Sequence, residues 1–274
     1  MDNDAELDYE AEYNNRARVP GHPAIIAGWQ QQSEAYRAAA RCELDVAYGH
    51  GERNGYDLFF PSGRADDDGL HLFIHGGYWQ GLDRTFFSHC ATGLNARGRT
   101  VAVCSYSLCP AVRIPDIVAE IRQCVAHLWH RFGRTMTVSG HSAGGHLVAE
   151  MLATDWSTVD PDLPAMPIAK GVAVSGLFDL RPLRHTSING ALGLDEASAL
   201  AASPAFRTPT PGVALVTVVG ETESSEFHRQ TTVIAEAWGP HGIPIGHLVV
   251  PGADHFTVIA PCSDEASALV EACL

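Results

Sequence analysis

Apolar positions change their spacing along this chain, and the change divides it into two regimes. Ile25, Ile26, Trp29 and Tyr36 recur at helical intervals behind Pro23, which suits a first helical turn, so a helix running to about Arg41 is expected. Two short runs follow, Cys42 to Tyr48 and Tyr56 to Phe60, with Asn54-Gly55 between them. That dipeptide is a hairpin signal, and the pair reads as antiparallel strands. Asp66-Asp67-Asp68-Gly69 reads as a tight turn, since it lacks the alternating ligands and terminal glutamate of a calcium loop.

From Leu70 onward, short apolar strands alternate with amphipathic helices, the pattern of a parallel sheet. Strands are predicted at 70–74, 100–105, 135–138, 169–174, 213–219 and 247–250, and helices at 86–96, 114–132, 226–238 and 263–273. Ile114, Ile117, Val118, Ile121, Val125 and Leu128 form one stripe, so the second of these helices packs along its length on the sheet. Residues 176–208 break the alternation and read as a lid insertion. The sum is an α/β fold: a mostly parallel, eight-stranded sheet flanked by helices, in a single domain spanning 1–274. Residues 1–20, with acids at 2, 4, 6, 8, 10 and 12, are expected to form a solvated N-terminal arm.

Composition narrows the functional classes. A formal charge of −14 opposes approach to nucleic acid or to an anionic membrane surface. No stretch approaches the roughly 20 apolar residues of a membrane span, and the acidic N-terminus does not resemble a secretory leader, so a cytoplasmic protein is expected. Seven scattered cysteines without a Cys-x-x-Cys pair suggest reduced, mostly buried thiols. A homodimer is compatible with all of this.

The candidate chemistry begins at Gly140-His141-Ser142-Ala143-Gly144, between a predicted strand and an apolar helical pattern. Strand, sharp turn and helix make a nucleophile elbow, with Ser142 at the tip and glycines where neighbouring backbone must come close. The bare pattern should occur by chance on the order of a tenth of a time in such a chain at average glycine usage, so its companions decide. His75-Gly76-Gly77-Tyr78-Trp79 follows the strand at 70–74, where backbone amides could stabilise an oxyanion. Gly76, Gly77 and Ala143 are the expected donors, His75 a brace for the loop, and Tyr78 and Trp79 the pocket walls.

In such folds the acid and then the histidine follow the serine. Of the four late histidines, His228 falls on a helix, His241 before a strand and His247 within one. His255 alone lies in a loop beyond the last strand, at the edge where Ser142 emerges, and is the expected general base. Among acids, Glu223 sits one turn past the strand at 213–219 and is preferred to Glu221 and Glu226. Asp179, beyond the preceding strand, stays open as the alternative. His127 and His130 lack the glutamate and third ligand of a zinc hydrolase, and no nucleotide-binding glycine motif is present; neither metal nor cofactor is expected.

With His-Gly-Gly-Tyr-Trp-Gln at 75–80, Gly-His-Ser-Ala-Gly-Gly-His at 140–146, Ser-Gly-Leu-Phe-Asp-Leu-Arg-Pro-Leu at 175–183 and Asp254-His255-Phe256, the chain resembles the kynurenine formamidases. The likeness covers most of residues 10 to 260. It implies an α/β-hydrolase fold and cleavage of a small aryl formamide, of the N-formylkynurenine type, to formate and an arylamine. Ser142 would be nucleophile, His255 base and Glu223 acid. The family usually carries Asp where Glu223 stands, so here the carboxylate must reach on a longer side chain. A general short-acyl carboxylesterase is the alternative, and a hydrolase fold turned binding protein a remote one. For a substrate carboxylate, Arg181 and Arg184 of the insertion are available.

Overall fold

Eight strands form one sheet in the computed structural model, which describes residues 7–61 and 69–274. They are β1 (Cys42–Ala47), β2 (Gly55–Phe59), β3 (Leu70–Ile74), β4 (Thr100–Cys104), β5 (Met136–His141), β6 (Ile168–Val174), β7 (Ala214–Gly220) and β8 (Ile245–Val250), in the spatial order β1-β2-β4-β3-β5-β6-β7-β8. β2 pairs antiparallel with both β1 and β4, and every later pairing is parallel. The hairpin signal and the switch to parallel spacing at Leu70 are thus reproduced in the pairing.

The helices are α1 (Tyr9–Tyr13), α2 (Asn15–Arg18), α3 (His22–Ala39), α4 (Thr92–Ala96), α5 (Ile114–Phe132), α6 (Ala143–Leu152), α7 (Asn189–Leu192), α8 (Glu196–Ala201), α9 (Ser225–Trp238) and α10 (Ala268–Cys273). Alternation along the strands feeds two cores, one on each face of the sheet. Leu70, Leu72 and Ile74 of β3 join the α5 stripe and α6 on one face. Phe73 turns to the other face, where Trp29 of α3 and Leu269 and Val270 of α10 pack. His71 is fully buried in β3 and is held by the hydroxyls of Thr137 and Ser139, each at 2.7 Å.

Three expectations need correction. Residues 86–96 do not form one helix: 3₁₀ turns at Arg84–Phe86 and Ser88–Ala91 lead into the short α4. The Asp83 side chain caps the first turn, and Gly93 is pressed so close to the segment after β8 that a Cβ would meet Cys262 O at 2.6 Å. The closing helix, expected from 263, starts only at Ala268: residue 263 ends a 3₁₀ stretch, Thr257–Ser263, Asp264 turns the chain by accepting from Ala266 N, and Ser267 starts α10 by capping Val270 N.

The third correction concerns the arm, whose described part, from Leu7, is docked rather than solvated. The Tyr13 ring is completely buried against Phe227; its hydroxyl donates to Glu226 (2.6 Å) and accepts from Gln230 (2.8 Å). Acids read as a solvated run are hydrogen-bond acceptors instead: Glu10 takes the amide and hydroxyl of Ser187, and Glu12 takes the hydroxyl of Ser225 and the amide of Glu226. The first six residues and the expected turn at Asp66 to Asp68 lie outside the described residues. Among the described residues no helix is long and apolar enough to cross a membrane.

Candidate active site

Strand register sets the site. Ile74 is level with Gly140 across the β3–β5 pair and His141 with Val174 across β5–β6, so β3, β5 and β6 end along one line. The segments leaving those ends therefore meet, as expected at the carboxyl edge of a parallel sheet. Ser142 N donates to Val174 O (2.7 Å) and Ser175 N to Val218 O (2.7 Å), which extends the line to β7.

Ser142 sits at the tip of the turn with φ 56° and ψ −116°, outside helical and strand conformations, and α6 starts directly after it. The turn is tight enough that a Cβ on Gly140 would lie 2.4 Å from Gly144 O, and one on Gly144 only 2.1 Å from Ile74 O. Glycine is required at both positions. His255 arrives in the loop after β8, and its Nε2 lies 3.1 Å from Ser142 Oγ. Glu223 arrives in the turn after β7, with Oε2 2.7 Å from His255 Nδ1. Its other oxygen accepts from Ser175 Oγ (2.6 Å) and Gly220 N (2.7 Å). With Nδ1 facing a carboxylate, the ring proton sits there, leaving Nε2 to accept from the serine hydroxyl.

The remaining acids are committed elsewhere. Asp179 is held by Arg181 at 2.9 Å through both Nε and Nη2, and these contacts keep its carboxyl below the ordinary range despite partial burial. Glu226 pairs with Arg229 and Tyr13, and Glu221 accepts from Gly252 N. Of the other histidines in question, His130 pairs with Asp160 (2.7 Å) and His127 packs edge-on against Tyr56.

Gly76 lies against the elbow: a Cβ there would be 3.1 Å from Ser142 Cβ and 2.8 Å from His141 O. Gly77 has φ +116°, and Tyr78 (φ 49°) and Trp79 (φ 57°) continue a left-handed run that turns this loop over Ser142. Among the described residues the amide of Gly77 has no backbone acceptor, and Ala143 N, at the first position of α6, is one of the amides a helix start leaves unpaired. His75 braces the loop. Its Nδ1 donates to Gly76 O (2.7 Å), its ring stacks on Tyr106 (4.2 Å between centroids), and the Tyr106 hydroxyl donates to His75 O. Burial pushes the His75 imidazole down to about 4, so it is neutral.

A cavity of about 390 Å³ stands over Ser142 and reaches His255 and Gly77. Tyr78 lines it, with its hydroxyl donating to Tyr13 O (2.7 Å). Trp79 does not: it is fully buried behind the loop, edge-on to His146 (5.0 Å), because the two consecutive left-handed residues send their side chains to different sides. From the insertion at 176–208, Ser187 and Ile188 reach the cavity, and Arg181 and Arg184 do not. Several wall residues had gone unrecognised in the sequence, namely Tyr13 to Arg16 of the arm, Ile26 and Trp29 of α3, and Phe256. Ser175 was missed as a partner of Glu223, though its place directly after a strand was a usable signal. His141 was missed too; its Nε2 donates to His255 O (2.8 Å) and so holds the backbone of that loop.

Sheet order, elbow and hydrogen-bonded row together define a hydrolase fold, and comparison with known proteins agrees. The family model for the alpha/beta hydrolase fold matches residues 71–255, and the chain belongs to that family of hydrolytic enzymes. Its relatives include the kynurenine formamidase of Danio rerio, 30% identical over 250 residues (88% of this chain and 84% of the relative). The kynurenine formamidase of Drosophila melanogaster is 29% identical over 226 residues (78% and 74%). Among solved structures, a Silicibacter sp. TM1040 protein carrying a provisional thioesterase label superposes with a TM-score of 0.89 at 35% identity, covering 97% of this chain and 99% of that one.

Proposed function

We propose that this hydrolase cleaves a small aryl formamide by acyl transfer through Ser142. The observation that carries the reading is the Ser142–His255–Glu223 row, 3.1 and 2.7 Å between partners, at the foot of a cavity of about 390 Å³. Ser142 Oγ attacks the formyl carbon as its proton passes to His255 Nε2. The carbonyl oxygen, now negative, is stabilised by the amides of Gly76, Gly77 and Ala143. When the C–N bond breaks, His255 returns the proton to the leaving arylamine, and the formyl group remains on Ser142. A water molecule then gives a proton to His255 and attacks the ester, releasing formate and restoring the serine. Glu223 holds the tautomer and stabilises the imidazolium.

Two relatives named for kynurenine formamidase activity support the formamide over other acyl groups. A short-acyl esterase is the second reading, supported by the solved neighbours, among them an esterase B that shares the fold at 18% identity and a TM-score of 0.66. Comparing kcat/KM for N-formylkynurenine and p-nitrophenyl acetate separates the two, and a large preference for the ester would overturn the formamidase reading. A serine-directed fluorophosphonate should label Ser142 in the folded protein; absence of the adduct would overturn the acyl-enzyme itself.

A further inference from the structure

The chain carries 32 Asp and Glu against 18 Lys and Arg, yet the wall of the cavity over Ser142 has the opposite character. Among the described residues that line it there is no carboxylate, and Arg16 is the one side chain with a permanent charge. The acids nearest in sequence are turned away, Glu10 onto Ser187 and Glu12 onto Ser225, the latter also facing Arg18 at 3.9 Å. Arg16 itself has no ion-pair partner among the described residues. It stands exposed at the rim on a firmly held backbone. Tyr13 is anchored in the core, the Asn14 side chain accepts from Ala17 N (3.1 Å), and the buried Asn15 amide donates to the Tyr78 hydroxyl (3.3 Å). A guanidinium so placed offers two parallel N–H donors to a planar anion.

We propose that Arg16 is a specificity-determining residue, the group that binds a carboxylate carried on the substrate's leaving group, remote from the scissile bond. The formyl side has no atom on which to bear such a group, so the carboxylate must belong to the amine half, directed at the mouth. The proposal rests on the acyl-transfer reading of Ser142. It also replaces Arg181 and Arg184 as the source of a clamp, since Arg181 is held by Asp179 and lies over the Phe206 ring.

The test compares N-formylkynurenine with 2-formamidoacetophenone, which has the same reacting half without the charged tail, on the wild-type enzyme, Arg16→Ala and Arg16→Lys. Arg16→Ala should raise KM for the carboxylated substrate by about tenfold to a hundredfold, the range for a lost hydrogen bond to a charged group, with kcat changed less than about twofold. The preference for the carboxylated substrate should fall by the same factor, recover in part in Arg16→Lys, and weaken in the wild type as salt is raised. Equal losses on both substrates, or no loss on either, would overturn the proposal. If the wild type hydrolyses neither formamide, the formamidase reading fails on its own. The Arg16 proposal is then decided by phenyl acetate against 3-(4-acetoxyphenyl)propanoate, and a ratio unmoved by Arg16→Ala would overturn it.

Discussion

Ser175 donates its hydroxyl to Glu223 over 2.6 Å, and so fixes the carboxylate oxygen that His255 does not use. Gly220 N is the second donor to the same atom, at 2.7 Å. Removing the hydroxyl leaves Glu223 with one donor and a wider range of rotamers. Ser175→Ala should lower kcat by about three- to tenfold, the worth of one ordinary hydrogen bond, with KM little changed. Steady-state kinetics on the preferred substrate checks this, and an effect confined to KM would contradict a positioning role.

Glu223 meets His255 at 2.7 Å on a side chain one methylene longer than that of Asp. Glu223→Asp withdraws the carboxylate by about 1.5 Å, too far for the 2.7 Å contact seen here unless the turn after β7 moves. A drop in kcat of at least roughly tenfold is expected, smaller than that of Glu223→Gln, because Asp moves the negative charge away from the imidazolium whereas Gln removes it. An Asp variant as active as wild type would show that this turn adjusts freely.

Gly77 leaves no room for a side chain. Its φ of +116° disfavours any L-residue, and a Cβ would lie 2.3 Å from Gly81 O. Gly77→Ala should displace the amide aimed at the developing oxyanion and cost on the order of a hundredfold in kcat. Circular dichroism and the melting temperature separate this loss from unfolding. A correctly folded variant with full activity would remove Gly77 from the oxyanion site.

Stability should fall with acid in a window that the buried histidines define. Burial pushes His75, His89 and His146 down to about 4, His71 to about 3, and His141 well below its ordinary range, so all five are neutral in the folded state. An unfolded chain protonates them below about 6.5, where the folded chain does not. Their contribution is therefore fully present above that pH and is lost as pH falls toward 4, at about 1.4 kcal/mol per pH unit for each histidine. Glu150, held above its ordinary value by burial, acts in the opposite sense, but it is one group against five. Urea midpoints at pH 7.5, 6 and 5 should decline steadily; a flat profile would mean that these imidazoles are protonated without penalty.

The sequence by itself determined the sheet and singled out Ser142 and His255 as the candidate nucleophile and base. Strand alternation and the stripe from Ile114 to Leu128 are local patterns, and the parallel order they imply sends Ser142, Glu223 and His255 to one edge. The choice between Glu223 and Asp179 was not local. It depended on which carboxylate met His255 and which met Arg181, and the fold settled that geometry. The cavity wall was still less legible, because the arm reaches it across more than two hundred residues of sequence, through Tyr13 to Glu226 and Glu12 to Ser225. An acidic segment reads as solvated when its acceptors cannot be seen beside their donors. Only the tertiary structure supplies those donors, and with them it places Arg16 at the mouth and Trp79 behind the loop.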